Sequence, residues 1–195
     1  GYKENPSIGT KATIKVVGPV QIAADKFRAA NLSTKHTITV EDGGNGSILV
    51  VGDMADKTGT DLNNSLGIMT FNVPVTVAGN ATLTTPANFY AMANDEQLTF
   101  SELNVKGALK PGNRSTYTIF KSITVKGGVI NKLTYYSGEN NNAMSFENVE
   151  FIQTVDVTAM NKNGNDLDKK TTKVNFKNCT FDSGLNLGNE FNRGG

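Results

Sequence analysis

The chain has 195 residues, and its 19 basic side chains are balanced by 18 acidic ones, so no net field attracts nucleic acid or an anionic membrane. A single cysteine, Cys179, and a single histidine, His36, exclude an internal disulfide framework and a zinc site built from Cys and His. Abundant Gly, Asn and Thr, with no Trp, favour β-structure with many turns. This length suits one domain, 1–195.

The first segments in chain order predict a strand and then a helix. In "ATIKVVG", the residues Ala12, Ile14 and Val16 alternate with polar residues, as in a half-buried strand. From Pro19 to Leu32 the apolar residues recur at intervals of three and four, with charged residues between them. This spacing predicts a short amphipathic helix over residues 19–32.

Strand patterns continue through the middle of the chain. "HTITVEDGGNGSILVVGD" has two apolar runs around a Gly/Asn/Asp cluster, which fits either a hairpin or two sides of one coil. Residues 54–67 are polar and interrupted by glycine, which predicts a loop. After this loop, Val73, Val75 and Val77 mark one face of a strand, in which Pro74 predicts a sheet edge or a bend.

Four segments in the second half share the pattern Phe-x-polar-apolar-x-apolar: "FSELNV" from Phe100, "FKSITV" from Phe120, "FENVEF" from Phe146 and "FKNCTF" from Phe176. Their first phenylalanines are about 20 to 30 residues apart, the length of one coil in a parallel β-solenoid with loops of different size. The pattern therefore predicts one corner per coil.

Aligning these four segments also predicts what the corner and the core contain. Asn148 and Asn178 stand at the third position, where a short polar residue can adopt left-handed backbone angles and bond to its neighbour in the next coil. Two apolar columns follow inside the coil: Leu103, Ile123, Val149 and Cys179 in one, and Val105, Val125, Phe151 and Phe181 in the other. Cys179 is thus a small apolar core residue.

Lines such as "VNFKNCTFDSG" and "MSFENVEFIQT" resemble the right-handed parallel β-helix of the pectin-lyase-like superfamily over about residues 98–184. The resemblance implies an all-β, right-handed parallel β-helix (solenoid) in which the helix over 19–32 caps the N-terminal end. An antiparallel β-sandwich is the alternative, because Gly127 and Gly128 also fit a hairpin turn.

Many members of that superfamily are polysaccharide lyases or hydrolases, and others resemble non-catalytic adhesins and carbohydrate-binding surface proteins of bacteria. A lyase of this type needs a carboxylate cluster for Ca²⁺ and an Arg or Lys base, and none of Arg28, Arg114 and Arg193 lies next to such a cluster. A hydrolase needs two carboxyl groups across a groove, and the densest acidic loop, with Asp53, Asp56 and Asp61, is interpreted as a solvated loop instead. We therefore expect no enzyme, with a carbohydrate-active enzyme or a fragment of one as the alternative.

Two loops carry the candidate site residues. Tyr135 and Tyr136 precede an Asn-rich stretch, so an aromatic ring could stack on a sugar while amides bond its hydroxyl groups. This predicts a ligand site formed by Tyr135, Tyr136, Asn140 and Asn141. The alternative is one core ring and one exposed ring beside a turn.

The loop "NKNGNDLDKK" is similar to a calcium-binding loop from which most charges have been removed. Weak Ca²⁺ binding there would use Asn161, Asn163, Asn165, Asp166 and Asp168, and a merely exposed loop is the alternative. No other cofactor is predicted.

Taken together, the residues predict an exported bacterial surface protein, an adhesin that binds a glycan or a host protein through loops 54–67, 137–142 and 159–171. The extracellular or cell-surface location is inferred from composition, since "GYKENPSIG" is not a signal peptide. No apolar run is long enough to span a bilayer. The segment "LNLGNEFNRGG" offers no clear cap, which allows self-association.

Overall fold

A computed structural model of the protein describes residues 11–27, 36–52, 66–79, 82–84, 97–110, 122–134, 143–157 and 173–187. These residues form fifteen strands and one 3₁₀ turn, Ala24–Lys26. The strands are β1 (Lys11–Val16), β2 (Pro19–Ala23), β3 (His36–Asp42), β4 (Ser47–Val51), β5 (Leu66–Val77), β6 (Thr82–Thr84), β7 (Gln97–Lys110), β8 (Ser122–Val125), β9 (Gly128–Leu133), β10 (Ala143–Glu147), β11 (Val149–Phe151), β12 (Val155–Asp156), β13 (Lys173–Lys177), β14 (Thr180–Phe181) and β15 (Leu185–Asn186).

Seven strands stack in the order β1-β3-β5-β7-β8-β10-β13, which is also their order along the chain. Each strand of this order, with the shorter strands that follow it, is called a level. Every pair of neighbours among the described strands is parallel. A parallel β-solenoid is thereby confirmed, and the alternative of an antiparallel sandwich is wrong.

Each level bends from a first face into a second face. The first face contains β1, β3, β8, β10, β13 and the opening parts of β5 and β7; the second contains β2, β4, β9, β11, β14 and the later parts of β5 and β7. The strands β3 and β4 are two sides of one level and do not pair with each other, so the hairpin interpretation of this segment is wrong.

The core consists of apolar columns that run from level to level. Phe71, Phe100, Val125 and Phe146 occupy one column on the first face, and all four are at most 2% exposed. On the second face Val75 and Val77 are fully buried, as predicted from their alternation with polar residues. Burying one such side chain contributes about 1.5–3 kcal/mol relative to its exposure, so these columns stabilise the stack.

The corner between the two faces uses left-handed backbone angles. Asn148 and Asn178 have φ values of 55° and 52°, which confirms the predicted role of asparagine at this position. Both side chains are exposed, and no hydrogen bond joins them among the contacts of the described residues, so bonding between corner asparagines is wrong for this pair. In the level of β8 and β9 the positive φ comes one position later, at Gly128 with φ of 109°, which pairs with Val149.

In the level of β8 and β9 the predicted alignment fails for both apolar columns, because Ile123 does not stand with Leu103 and Val149, nor Val125 with Val105 and Phe151. Val125, and not Phe120, pairs with Phe100 and Phe146, while Ile123 pairs with Leu98 and Met144. The alignment of "FKSITV" with the other three segments is therefore wrong, and Phe120 itself lies outside the described residues.

The predicted helix over 19–32 is wrong where the structure describes it. Pro19–Ala23 is strand β2, paired with β4 along its whole length, and only Ala24–Lys26 forms a 3₁₀ turn. The reason is that Val20 and Ile22 also fit a period of two, and pairing with β4 selects that period. Phe27 then packs against Phe71, with ring centroids 5.8 Å apart. Residues 28–32 lie outside the described residues.

Candidate ligand-binding surface

All residues of the two predicted sites lie outside the described residues. This holds for the ligand site Tyr135, Tyr136, Asn140 and Asn141 and for the calcium loop with Asn161, Asn163, Asn165, Asp166 and Asp168. Of the three predicted binding loops, only the backbone of Leu66 and Gly67 is described. The surface that the structure describes therefore belongs almost entirely to the stacked strands.

An open groove of about 400 Å³ lies on the outer side of the second face. Its floor includes the side chain of Val129, which is 38% exposed, and that of Ile152, which is half-buried. The polar groups around this apolar floor come from four further residues, namely Thr76, Asn104, Lys106 and Asn131. Four successive levels contribute to the groove, since these residues belong to β5, β7 and β9 and Ile152 follows β11.

A β-bulge in β7 creates the irregular surface of this groove. The register of β7 against β9 shifts between Val105 and Ala108, so Lys106 and Gly107 together face one residue of β9. The Asn131 side chain donates from Nδ2 to the carbonyl oxygens of Lys106 at 3.1 Å and Gly107 at 3.3 Å. These bonds replace regular ladder bonds that the bulge interrupts, and they fix the Asn131 amide at the edge of the groove.

The second amide in the groove is held equally firmly. Asn104 Oδ1 accepts a hydrogen bond from the backbone N–H of Val129 at 3.0 Å, and its Nδ2 donates to Glu102 Oε1 at 2.9 Å. Among contacts within the described residues, Asn131 Oδ1 and Lys106 Nζ have no hydrogen-bond partner. The groove thus offers one acceptor and one cationic donor beside an apolar floor.

A column of hydroxyl groups runs along the outer side of the first face. Each level places a Thr, Ser or Asn there, between two inward apolar residues: Thr13, Thr39, Thr70, Thr99, Thr124, Ser145 and Asn175. No hydrogen bond joins one threonine hydroxyl of this column to the next among the contacts of the described residues. Among the described residues of this column, one side-chain hydrogen bond is formed, from Asn175 Nδ2 to Ser145 Oγ at 3.4 Å. The threonine hydroxyls therefore remain available to solvent or a ligand.

The sequence contains a signal for this column that the phenylalanine alignment missed. Each level carries a tripeptide of an apolar residue, a Thr, Ser or Asn, and a second apolar residue: "ATI", "ITV", "MTF", "LTF", "ITV", "MSF" and "VNF". A tripeptide recurs at every level, whereas the Phe-led pattern begins only at Phe100. The groove has no such local signal, because its shape depends on a register shift between distant strands.

Two carboxylates at the corner between the two faces, Asp42 and Glu147, make local contacts. Lys177 Nζ lies 2.6 Å from Glu147 Oε1, and this hydrogen bond and charge, with a smaller effect of Lys126, lower the pKa of Glu147. The pKa of Asp42 is also lowered, because its Oδ1 accepts hydrogen bonds from the N–H groups of Gly46 at 2.7 Å and Gly44 at 2.8 Å. Both carboxylates thus have structural partners.

Cys179 is half-buried beside the core, and its Sγ contacts the carbonyl oxygen of Phe146 at 3.4 Å. This position agrees with its predicted place in an apolar column. The backbone of His36 begins β3, and its side chain lies outside the description. The described part of the chain contains no group of three or more His, Cys, Asp or Glu side chains that could hold a metal ion.

The chain is thus a parallel β-solenoid. Its second face carries a groove with an apolar floor and polar edges, and its first face carries the hydroxyl column. Comparison with protein-family models, with curated proteins and with solved structures gave no match. None of the described segments forms a helix long and apolar enough to cross a membrane.

Proposed function

We propose that this chain is a non-enzymatic, exported bacterial surface protein, an adhesin whose solenoid binds a glycan. The binding site is the groove lined by Val129, Ile152, Lys106 and Asn131. We further propose that the solenoid is right-handed, as in the pectin-lyase-like superfamily that its sequence resembles. A host surface protein is the alternative ligand.

The groove is the observation that carries this proposal. Ligand sites are concave, with a volume of about 300–1,000 Å³ and an apolar lining that surrounds a few fixed polar groups. A sugar ring combines an apolar C–H face with hydroxyl groups around its edge. Val129 and Ile152 suit the C–H face, while the ammonium group of Lys106 donates to hydroxyl oxygens and the Asn131 oxygen accepts from hydroxyl hydrogens.

Rigidity supports the same proposal. The groove lies on stacked strands, and the amides of Asn104 and Asn131 are already oriented by bonds to Val129, Lys106 and Gly107. A ligand therefore meets polar groups that lose little side-chain freedom on binding. The hydroxyl column adds a second polar surface of the same rigid type on the first face.

A glycan array with neutral and acidic glycans, followed by calorimetry on each glycan bound, tests the proposal. Val129→Arg places a bulky charged side chain in the groove and is expected to weaken binding at least about tenfold, the range of a hot-spot residue. Ile68→Arg is the matched control, because Ile68 is 37% exposed and lies on the first face, whereas the groove lies on the second. It is expected to bind as the unaltered chain does.

Three results would contradict the proposal in different ways. A blank array together with a blank pull-down from mucin and matrix would remove the adhesin role. Binding that survives complete deglycosylation of the partner would replace the glycan with a host protein. Release of unsaturated or shortened sugars from a bound polysaccharide would show that the chain is a carbohydrate-active enzyme after all.

A further inference from the structure

Two pairs of edge strands bound the described ladder. Among the described strands, β1 pairs only with β3 and β2 only with β4, whereas β13 pairs only with β10 and β14 only with β11. Edge strands present backbone N–H and C=O groups to which a further strand can pair. Because all pairs are parallel, the outer edge of β13 in one copy matches the outer edge of β1 in a second copy.

The apolar columns continue in phase across such a junction. Ile14 begins the column that ends at Phe176, and Ile22 begins the column that ends at Phe181. These end residues are only partly covered: Ile14 is 51% exposed, and Ile22, Phe176 and Phe181 are half-buried. A second copy one strand spacing further along would cover Phe176 with Ile14 and Phe181 with Ile22.

The charges at the same two ends oppose this contact. In the backbone register, Lys11 and Lys173 occupy the first and last positions of one line of paired residues. Lys15 directly follows Ile14, and Lys177 directly follows Phe176, so they share an outward position. Their charges are partly balanced within each copy, because Lys15 stands opposite Glu41 and Lys177 is paired with Glu147. In a head-to-tail pair each of these lysines would lie one strand spacing, about 4.8 Å, from a lysine of the other copy. Lysine on an edge strand is a common protection against such pairing.

We propose that copies of this chain associate head to tail, through β13 and β14 of one copy and β1 and β2 of the next, and that the facing lysines restrain this association electrostatically. The interface is heterologous and does not close on itself, so it produces open-ended chains of copies. Salt strengthens the association, since the Debye length falls from about 10 Å at 0.1 M to about 3 Å at 1 M and screens the repulsion. The partner is a second copy, independent of any glycan.

Sedimentation velocity of the full chain over a range of concentrations, at 0.05 M and 1 M NaCl, tests this proposal. For the unaltered chain we expect weak, open-ended association that increases with salt. Lys11→Glu turns the repulsion with Lys173 into attraction, and its column neighbour Thr37 is uncharged, so no new repulsion arises within the copy. At low salt its self-association should tighten by roughly threefold to tenfold and should now weaken as salt is added.

Two further variants make the result specific to the junction. Lys11→Glu combined with Lys173→Glu restores like charges at the contact, and the self-association should return to that of the unaltered chain. Lys132→Glu makes the same charge change on β9 in the middle of the ladder, where it should have no effect. A chain that stays monomeric in all variants and salts, or a single and double variant that behave alike, would overturn the proposal.

Discussion

Phe71 and Phe100 stack face to face, with ring centroids 4.9 Å apart and ring planes within 3° of parallel. Their separation equals the spacing of neighbouring parallel strands, about 4.7–4.9 Å, so the rings stack in step with the backbone ladder. Phe146 and Phe176 repeat this arrangement at 5.6 Å, and Val125 separates the two aromatic pairs. In this column, side chains pack on one another at the same spacing at which their strands pair.

Phe100 is the residue of this column whose loss we expect to be most costly. It is fully buried, and its replacement by alanine removes the stack on Phe71 and leaves a cavity between two levels. Phe100→Ala should lower the free energy of unfolding by about 3–5 kcal/mol, measured by urea denaturation. Phe100→Leu, which keeps most of the volume, should lose clearly less. Equal losses in both variants would mean that the column is not tightly packed.

The corner of the level formed by β8 and β9 predicts a second strong effect. A Cβ atom on Gly128 would lie 2.2 Å from the carbonyl oxygen of Leu103, and the φ of 109° is itself unfavourable for any other residue. Gly184 has a similar φ of 104° but open space around it. Gly184→Ala should therefore cost only the backbone strain, about 1–3 kcal/mol, while Gly128→Ala should cost more because the strands must also separate.

Thermal unfolding of both glycine variants in one buffer separates the two causes. The loss of stability that both variants share measures the cost of the backbone angle. The additional loss in Gly128→Ala measures the collision with Leu103. If Gly128→Ala were no worse than Gly184→Ala, the close approach of these two levels would be wrong.

Substitution of a corner asparagine should reduce the stability less, and the size of the loss should depend on the residue introduced. Asn148 has a φ of 55°, a left-handed angle that costs alanine about 1–2 kcal/mol but glycine very little. Asn148→Ala should therefore destabilise the chain by about 1 kcal/mol, and Asn148→Gly should keep nearly all of the stability. Paired urea titrations of the two variants provide the measurement, and equal losses would show that the amide group matters more than the backbone angle.

These asparagines also show what the sequence could and could not predict. A left-handed corner was predictable, because Asn148 and Asn178 stand at the same place in two similar segments. The level with Val125 was misaligned, because its corner uses Gly128 and a phenylalanine, Phe120, stands by coincidence at a matching distance upstream. The column that repeats at every level is the Thr, Ser or Asn between two apolar residues. This pattern is harder to recognise in the sequence than phenylalanine, because Thr, Ser and Asn are common throughout the chain.

Two other features needed long-range information. Spacing alone does not separate a helix from a strand at Val20 and Ile22, and the parallel partner β4 decides it. The groove depends on a bulge between Val105 and Ala108 and on Asn131, which is more than twenty residues away along the chain. No local pattern contains that relationship, so the candidate site on the strands could not be predicted from the sequence.

The pH dependence of stability should distinguish two differently held carboxylates. For both Asp42 and Glu147 the folded pKa is lowered, so each contributes stability that is present above its ordinary pKa and is lost as the pH falls through the folded pKa. Backbone N–H groups of Gly46 and Gly44 hold Asp42, whereas Glu147 depends on Lys177. Salt screens an exposed ion pair far more than it affects short hydrogen bonds to a fixed backbone.

Asp42→Asn and Glu147→Gln should therefore both flatten the loss of stability in acid, measured as melting temperature against pH below the ordinary carboxyl range. In 1 M NaCl the unaltered chain and Glu147→Gln should become nearly alike, because salt already weakens the bond to Lys177. Asp42→Asn should still differ from the unaltered chain in that salt. If salt removed both differences, long-range charge and not the local N–H groups would hold Asp42 ionised at the Gly43–Gly46 corner.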